Sequence, residues 1–356
     1  MKRFFKFAWP FIILFIALDI FVIVITTNKS GYQLTMPGGI NPVEATIQIE
    51  DAPKLKGSFN TVYVYSYNHI TTFQASILGF GNENTPEIGV STVSKLYDIT
   101  DAENYQSGII QKNQSIETSL IIAYQTAKEH GYDVNLDYEF LGFIVYLYAI
   151  NQEHLRIGDI ITKVIRKSGA QFGLDKPSNL ANALNTIEVG DTIIYQRDNE
   201  EFEYLVDKEI SYSEKTSFWA YRKYQINEET AKPSFNLESA NTQGPSGGFL
   251  QTLSTYCQIT GVDLTGGKRI AGTGTIEING GVGPIGGIEQ KIVTAIRNNC
   301  DIFLCSEYHY EDALNAYNKT LGHDKMKLIS IPYLENSAYY ASFSEAVHIL
   351  EELLNE

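Results

Sequence analysis

Residues 11–27 form an almost unbroken apolar run, interrupted only by Asp19. At a rise of ~1.5 Å per residue such a run predicts a helix at the short end of a bilayer span, which residues 7–9 can lengthen. Beyond it the pattern changes to short alternating runs, such as Thr61-Val62-Tyr63-Val64-Tyr65-Ser66, broken by Pro-Gly-Gly and Asn-rich turns. That alternation predicts strands from residue 32 to about residue 100. Ile116, Leu120, Ala123 and Ala127 then recur at helical spacing, predicting a helix over 115–130 with Gly131 as its stop. Residues 137–207 read as one module: a strand at Leu141-Gly142-Phe143-Ile144-Val145, a turn and strand over 155–161, a short helix over 178–185 and a further strand after Gly190. Near the C-terminus, Phe249, Leu250, Leu253, Tyr256 and Cys257 mark one amphipathic helix, and Ile288, Ile292, Ala295 and Ile296 mark another. The expected class is a multidomain α+β chain, divided at 1–28, 29–135, 136–208 and 212–356.

Composition narrows the function. An apolar share of 44 % against 19 % charged residues is that of a chain with a packed core. The net charge of −15 argues against a nucleic-acid partner, which requires a basic face. Lys2, Arg3 and Lys6 precede the first apolar run, so the positive-inside rule predicts a cytoplasmic N-terminus and everything after Asn28 outside. No small-residue cleavage site follows the run, which favours an uncleaved transmembrane anchor. Asp19 within it costs about 2.5–3.5 kcal/mol on the insertion scale, offset by the flanking Ile, Phe and Val residues. The expected location is therefore the cell membrane, single-pass, with the body extracytoplasmic. Cys257, Cys300 and Cys305 have no CxxC spacing, so buried free thiols are expected rather than a disulfide framework or a metal site, although a Cys300–Cys305 bridge stays open. No metal and no cofactor is called for.

The candidate chemistry lies in the last third. In Gly244-Pro245-Ser246-Gly247-Gly248, a glycine-rich turn delivers Ser246 to the start of a helix. Small neighbours would expose its hydroxyl, and backbone N–H groups at the helix end could stabilise an oxyanion. Taken alone, Ser246 reads more readily as a helix cap or an anion site. The second block, from Ile270 to Lys291, runs strand, Asn279-Gly280 turn, short strand and helix, with Lys291 in the first turn of that helix. A lysine on the apolar side is desolvated, which favours the neutral amine needed to take a serine proton. Moving it from ~10.4 to about 7–8 requires roughly 3–5 kcal/mol, within reach of burial. Alone, Lys291 reads more readily as a solvent-facing helix residue.

Together these blocks resemble the proteolytic domain of the Lon family, over about residues 218–356. The resemblance implies Ser246 as nucleophile and Lys291 as general base, 45 positions apart, in a serine endopeptidase. It further implies Thr273 as the residue orienting the lysine, and Gly244, Pro245 and Gly247 as the oxyanion and turn positions. Two residues depart from the family pattern: Gln243 stands where an Asp is usual, and Thr275 where a Glu is usual. The nearest glycine-lysine run, from Gly261 to Lys268, lacks phosphate-loop spacing and a following Ser or Thr, so no ATPase is expected in these residues. The module over 137–207 resembles a PDZ domain. That likeness implies a groove for peptide tails with Leu141, Gly142 and Phe143 as its binding turn, although Phe140 occupies a place where glycine is common. Anchor, PDZ-like module and Lon-like domain in this order resemble the YlbL-like membrane proteases of Gram-positive bacteria. The resemblance implies peptide or unfolded-protein substrates near the membrane and leaves a homo-oligomer open. The rival reading is a catalytically inactive envelope scaffold that binds peptide tails through the PDZ-like module.

Overall fold

Strands from opposite ends of the chain meet in one sheet. The computed structural model describes residues 2–79, 85–93, 99–149, 152–207, 218–238 and 242–355. Its first sheet has six strands in the order Lys327–Ile331, Ile302–Ser306, Arg269–Gly272, Ser58–Tyr67, Tyr32–Pro42 and Gly89–Thr92. The first four run parallel and the last two pair antiparallel. The central strands are buried: Phe59, Val62, Ile270, Ala271, Phe303 and Leu304 are each at most 4 % exposed. Helix Ile288–Arg297 packs over this sheet with helix Tyr310–Lys319. The Gly248–Thr260 and Asp101–Glu129 helices share the larger core with it. The early strands expected to form a region of their own therefore supply half of the sheet completed by the C-terminal residues.

A second sheet, wholly antiparallel, is built from Phe218–Lys232, Asn135–Tyr148, Ile160–Ile165, Thr192–Arg197 and Glu200–Leu205, with the short strand Gln171–Phe172 beside Ile160–Ile165. Helix Pro177–Asn185 closes a separate core of Val145, Leu155, Ile161, Val164, Leu180 and Ile193. Two Gly-Asp turns fix it. Asp159 and Asp191 are each 1 % exposed, and each pairs with an arginine, Arg197 at 2.7 Å and Arg166 at 2.6 Å. Removing either arginine would leave a buried carboxylate without its counter-charge. The expected boundary near 208–212 lies outside the described residues.

The long helix runs from Asp101 to Glu129, fourteen residues earlier than its apolar spacing predicts. Its extra turns bury Ser107, Gly108, Lys112 and Gln114, polar or small residues that periodicity does not register. Their start is set by a capping box: the Thr100 hydroxyl accepts from Glu103 N–H, and the Glu103 carboxylate accepts from Thr100 N–H at 2.8 Å. The Tyr148 hydroxyl bonds Glu103 and Lys223 pairs with Glu117, tying this helix to the second sheet.

The N-terminal segment corrects one expectation. It is a helix, Lys2–Thr27, but no helix among the described residues is long and apolar enough to cross a membrane. Its apolar part, residues 11–27, rises about 25 Å against a hydrocarbon core of ~30 Å, with Asp19 near the middle. The α+β class holds, but the transmembrane helix, and with it the single-pass membrane location, does not.

Candidate active site

At the carboxyl ends of the parallel strands the sheet opens into a cleft of about 1820 Å³. In open α/β sheets this end is where ligands bind, because loops rather than continued strands define it. Pro245, Ser246, Thr275, Pro284 to Gly287 and Lys291 line one part of it, and Tyr63, Val64 and Tyr65 of a central strand line another. Tyr221 reaches it from the second sheet.

Ser246 sits two residues before helix Gly248–Thr260, partly exposed on the cleft. Its turn is held by backbone groups. The Ser246 carbonyl accepts from Gly274 N–H at 3.0 Å and from the Thr273 hydroxyl at 3.1 Å. On the other side the long helix grips the same turn. Gly244 N–H donates to the Gly108 carbonyl at 2.9 Å, the Ser115 hydroxyl donates to the Pro245 carbonyl at 2.9 Å, and the Ser119 hydroxyl is shared between the Ser115 carbonyl at 2.6 Å and Gly248 O at 3.0 Å. That approach demands glycine at 248, where a Cβ would lie 2.6 Å from Ser115 Oγ and 2.7 Å from an Ile276 methyl. Pro245 has no N–H, and that of Gly244 is committed to Gly108, so both serve the turn.

Lys291 lies in the first turn of helix Ile288–Arg297 and is 3 % exposed. Its neighbours Ile288, Ile292, Ala295 and Ile296 are buried with it, and this desolvation brings the amine down to about 7. Nζ donates to Thr273 Oγ1 at 3.0 Å. Since the one hydroxyl proton of Thr273 goes to the Ser246 carbonyl, its oxygen can only accept from the lysine. Thr273 follows strand Arg269–Gly272 directly and is thereby placed between the serine turn and the lysine helix.

Residues 237–336 match the family described as Lon protease (S16) C-terminal proteolytic domain. The chain carries a Lon-type proteolytic domain. Such a domain points to a serine peptidase. The match takes in Ser246, Thr273 and Lys291 and leaves out the whole second sheet. No curated relative matches the chain.

Leu141, Gly142 and Phe143 fall elsewhere. They lie inside strand Asn135–Tyr148, not in a turn, with Gly142 opposite Lys223 and Phe143 opposite both Arg222 and Ile161. Gly142 has φ +130°, and a Cβ there would run into the Ile161 carbonyl. Its job is a bulge between two neighbouring strands. None of the three lines the cleft. The cysteines are free and buried, and burial pushes Cys257 and Cys305 up to about 12 and Cys300 to about 11, so they are inert as nucleophiles at neutral pH. Among the described residues no His, Cys, Asp and Glu group could hold a metal ion.

Sequence reasoning missed Gly108, Ser115 and Ser119. Nothing local marks them, since Ser115 is 130 positions from the carbonyl it holds.

Proposed function

We propose that the chain is a serine endopeptidase in which Ser246 is the nucleophile and Lys291 the general base, acting on extended peptide segments that reach the cleft without ATP-driven unfolding by these residues. The observation that carries this reading is a buried lysine amine, brought to about 7, tethered through Thr273 to the turn that bears a cleft-lining serine. A neutral amine takes the Ser246 proton as Oγ attacks the peptide carbonyl, and the resulting ammonium gives that proton to the leaving amine. Water then hydrolyses the ester, with Lys291 again taking and returning the proton. The Ser246 and Gly247 N–H groups, at the positive end of helix Gly248–Thr260, are the donors for the developing oxyanion. Thr273 is a positioning residue: it fixes one amine N–H and so aims the lone pair.

The second sheet, read as a PDZ-like module, supplies Tyr221 to the cleft wall and is tied to the helix behind the serine turn through Glu117–Lys223. It selects substrates by what it admits to the cleft.

The direct test is cleavage of a fluorogenic, unstructured peptide by the purified chain without nucleotide, together with mass spectrometry after a fluorophosphonate probe. Turnover and one adduct on the tryptic peptide containing Ser246 are expected; an adduct elsewhere, or cleavage that the probe leaves intact, would refute the assignment. Thr273→Val removes the acceptor for Lys291 while nearly preserving shape. Misaiming the amine should lower kcat on the order of 10–100-fold with little change in KM, a split readable from steady-state kinetics.

A further inference from the structure

The turn Pro284 to Gly287 joins strand Gly281–Gly283 to the helix that carries Lys291, and all four of its residues line the cleft. Its Ile285 N–H donates to the ring Nε2 of His309 at 2.9 Å. An imidazole nitrogen accepts a hydrogen bond only when it carries no proton, so this contact requires the neutral ring with its hydrogen on Nδ1. Protonation would turn the acceptor into a donor and set two N–H groups against each other. We propose that His309 is a positioning residue: its neutral imidazole latches the Pro284–Gly287 turn, and with it the wall of the cleft beside Lys291, and its protonation releases that turn.

The surroundings keep the latch closed near neutrality. His309 is 9 % exposed and caps the N-terminal end of helix Tyr310–Lys319, where the dipole disfavours a cation. Burial, its largest perturbation, and the Lys291 charge move the ring below the ordinary histidine range, while Asp312 on the same helix opposes them. Tyr308 sets its ring edge-on to His309 at 5.0 Å, and the Glu307 carboxylate accepts from Tyr333 N–H. Asp312 is thus the charged group that favours the protonated ring, and Lys291 the one that opposes it. His309 lies at the carboxyl end of strand Ile302–Ser306, the neighbour of the strand that leads into Thr273. Two adjacent parallel strands therefore each send one residue to the lysine: Thr273 to its amine, His309 to the turn that starts its helix.

The latch itself does not require the peptidase reading; its effect on turnover rests on it. The test uses the full chain, labelled with ¹⁵N-histidine and ¹⁵N-isoleucine and followed by NMR from about pH 5 to about pH 8, the window of imidazole titration. Ile285→Val identifies the Ile285 amide signal. His309 is expected as the Nδ1–H tautomer at the upper end, with the Ile285 amide shifting at the midpoint of the His309 ring. In His309→Gln the side-chain carbonyl supplies an acceptor that does not titrate, so the Ile285 amide should hold still across the range. An Nε2–H tautomer, or an Ile285 amide that ignores the ring's midpoint, overturns the latch. Peptide cleavage then reads its consequence. On the acid side kcat/KM of the wild type should fall about tenfold per pH unit as Lys291 takes its proton, with a further loss of about fivefold across the His309 midpoint that His309→Gln does not show. His309→Ala, with no acceptor, should lose about fivefold at pH 8. Acid limbs that superimpose in wild type and His309→Gln, with no added step, would overturn the link to Lys291. Failure of every variant and the wild type to cleave, with the NMR behaviour intact, would sink the peptidase reading and leave the latch standing.

Discussion

Ser246→Ala is expected to abolish peptide cleavage, by roughly 10⁴-fold or more, while leaving the fold unchanged. The contacts that hold residue 246 use its carbonyl: Gly274 N–H and the Thr273 hydroxyl both donate to that oxygen, and alanine keeps it. The partners of the turn, Gly108 and Ser115, bond to Gly244 and Pro245 and are equally untouched. What alanine lacks is the oxygen that would form the acyl bond, and water cannot take over the place of a nucleophile activated in the same site. Because peptide binding does not depend on that oxygen, the variant should still bind an unstructured peptide with the wild-type affinity. The check is paired: thermal unfolding and peptide-binding titrations that match the wild type, beside turnover at the limit of detection. Wild-type turnover in a folded Ser246→Ala protein would show that the cleft works through another group.

The elements around this site were legible because the signals for them are local. The helix after Ser246 announces itself by Phe249, Leu250, Leu253 and Tyr256, and the helix of Lys291 by Ile288, Ile292, Ala295 and Ile296, each set spaced for one buried face. What joins them was not legible. That Tyr32–Pro42 and Ser58–Tyr67 complete the sheet of Arg269–Gly272 follows from pairing across some two hundred residues, and strand patterns do not name their partners. His309 shows the same limit. A lone histidine after a strand carries no spacing relation to Ile285, and only the fold brings its ring to that amide. The early start of the long helix is a different case. Thr100 and Glu103 spell a capping box, a local signal outweighed by the polar residues that follow it. The N-terminal segment errs the other way: apolar composition reads as a membrane span, yet helical rise over residues 11–27 leaves it short. Leu141-Gly142-Phe143 read as a turn and lies in a strand, because a glycine of positive φ serves a strand bulge as readily as a turn.

Lys291→Met should be inactive and yet more stable than the wild type, a pairing that a merely structural lysine would not give. The wild-type amine, brought to about 7 by burial, is largely neutral in the folded chain above that pH. In the unfolded chain it stays charged up to its ordinary ~10.4. Between these values the unfolded state binds the extra proton, so folding stability rises with pH through the window and is lost as pH falls from about 10 to about 7. Methionine has no proton to lose and fits the same apolar surround, so it should stabilise the fold by about 2–3 kcal/mol at pH 7, and by less at pH 10. Thr273 loses its donor in this variant, but its hydroxyl still donates to the Ser246 carbonyl, which limits the cost. Lys291→Arg should be inactive too, for the opposite reason. Its guanidinium cannot be neutral at these pH values, and placing that charge where Ile288 and Ile292 pack should destabilise the fold. In the wild type, turnover should rise with pH through about 7 as the amine becomes neutral and then level off, the folded-state value setting the midpoint. Denaturant melts of the three proteins at pH 7 and pH 10, with a pH profile of kcat/KM for the wild type, read all of this. A Lys291→Met protein less stable than the wild type at pH 7 would mean that the lysine is charged and paired in the fold. A midpoint near 10 would carry the same meaning, and either result would remove Lys291 as the base.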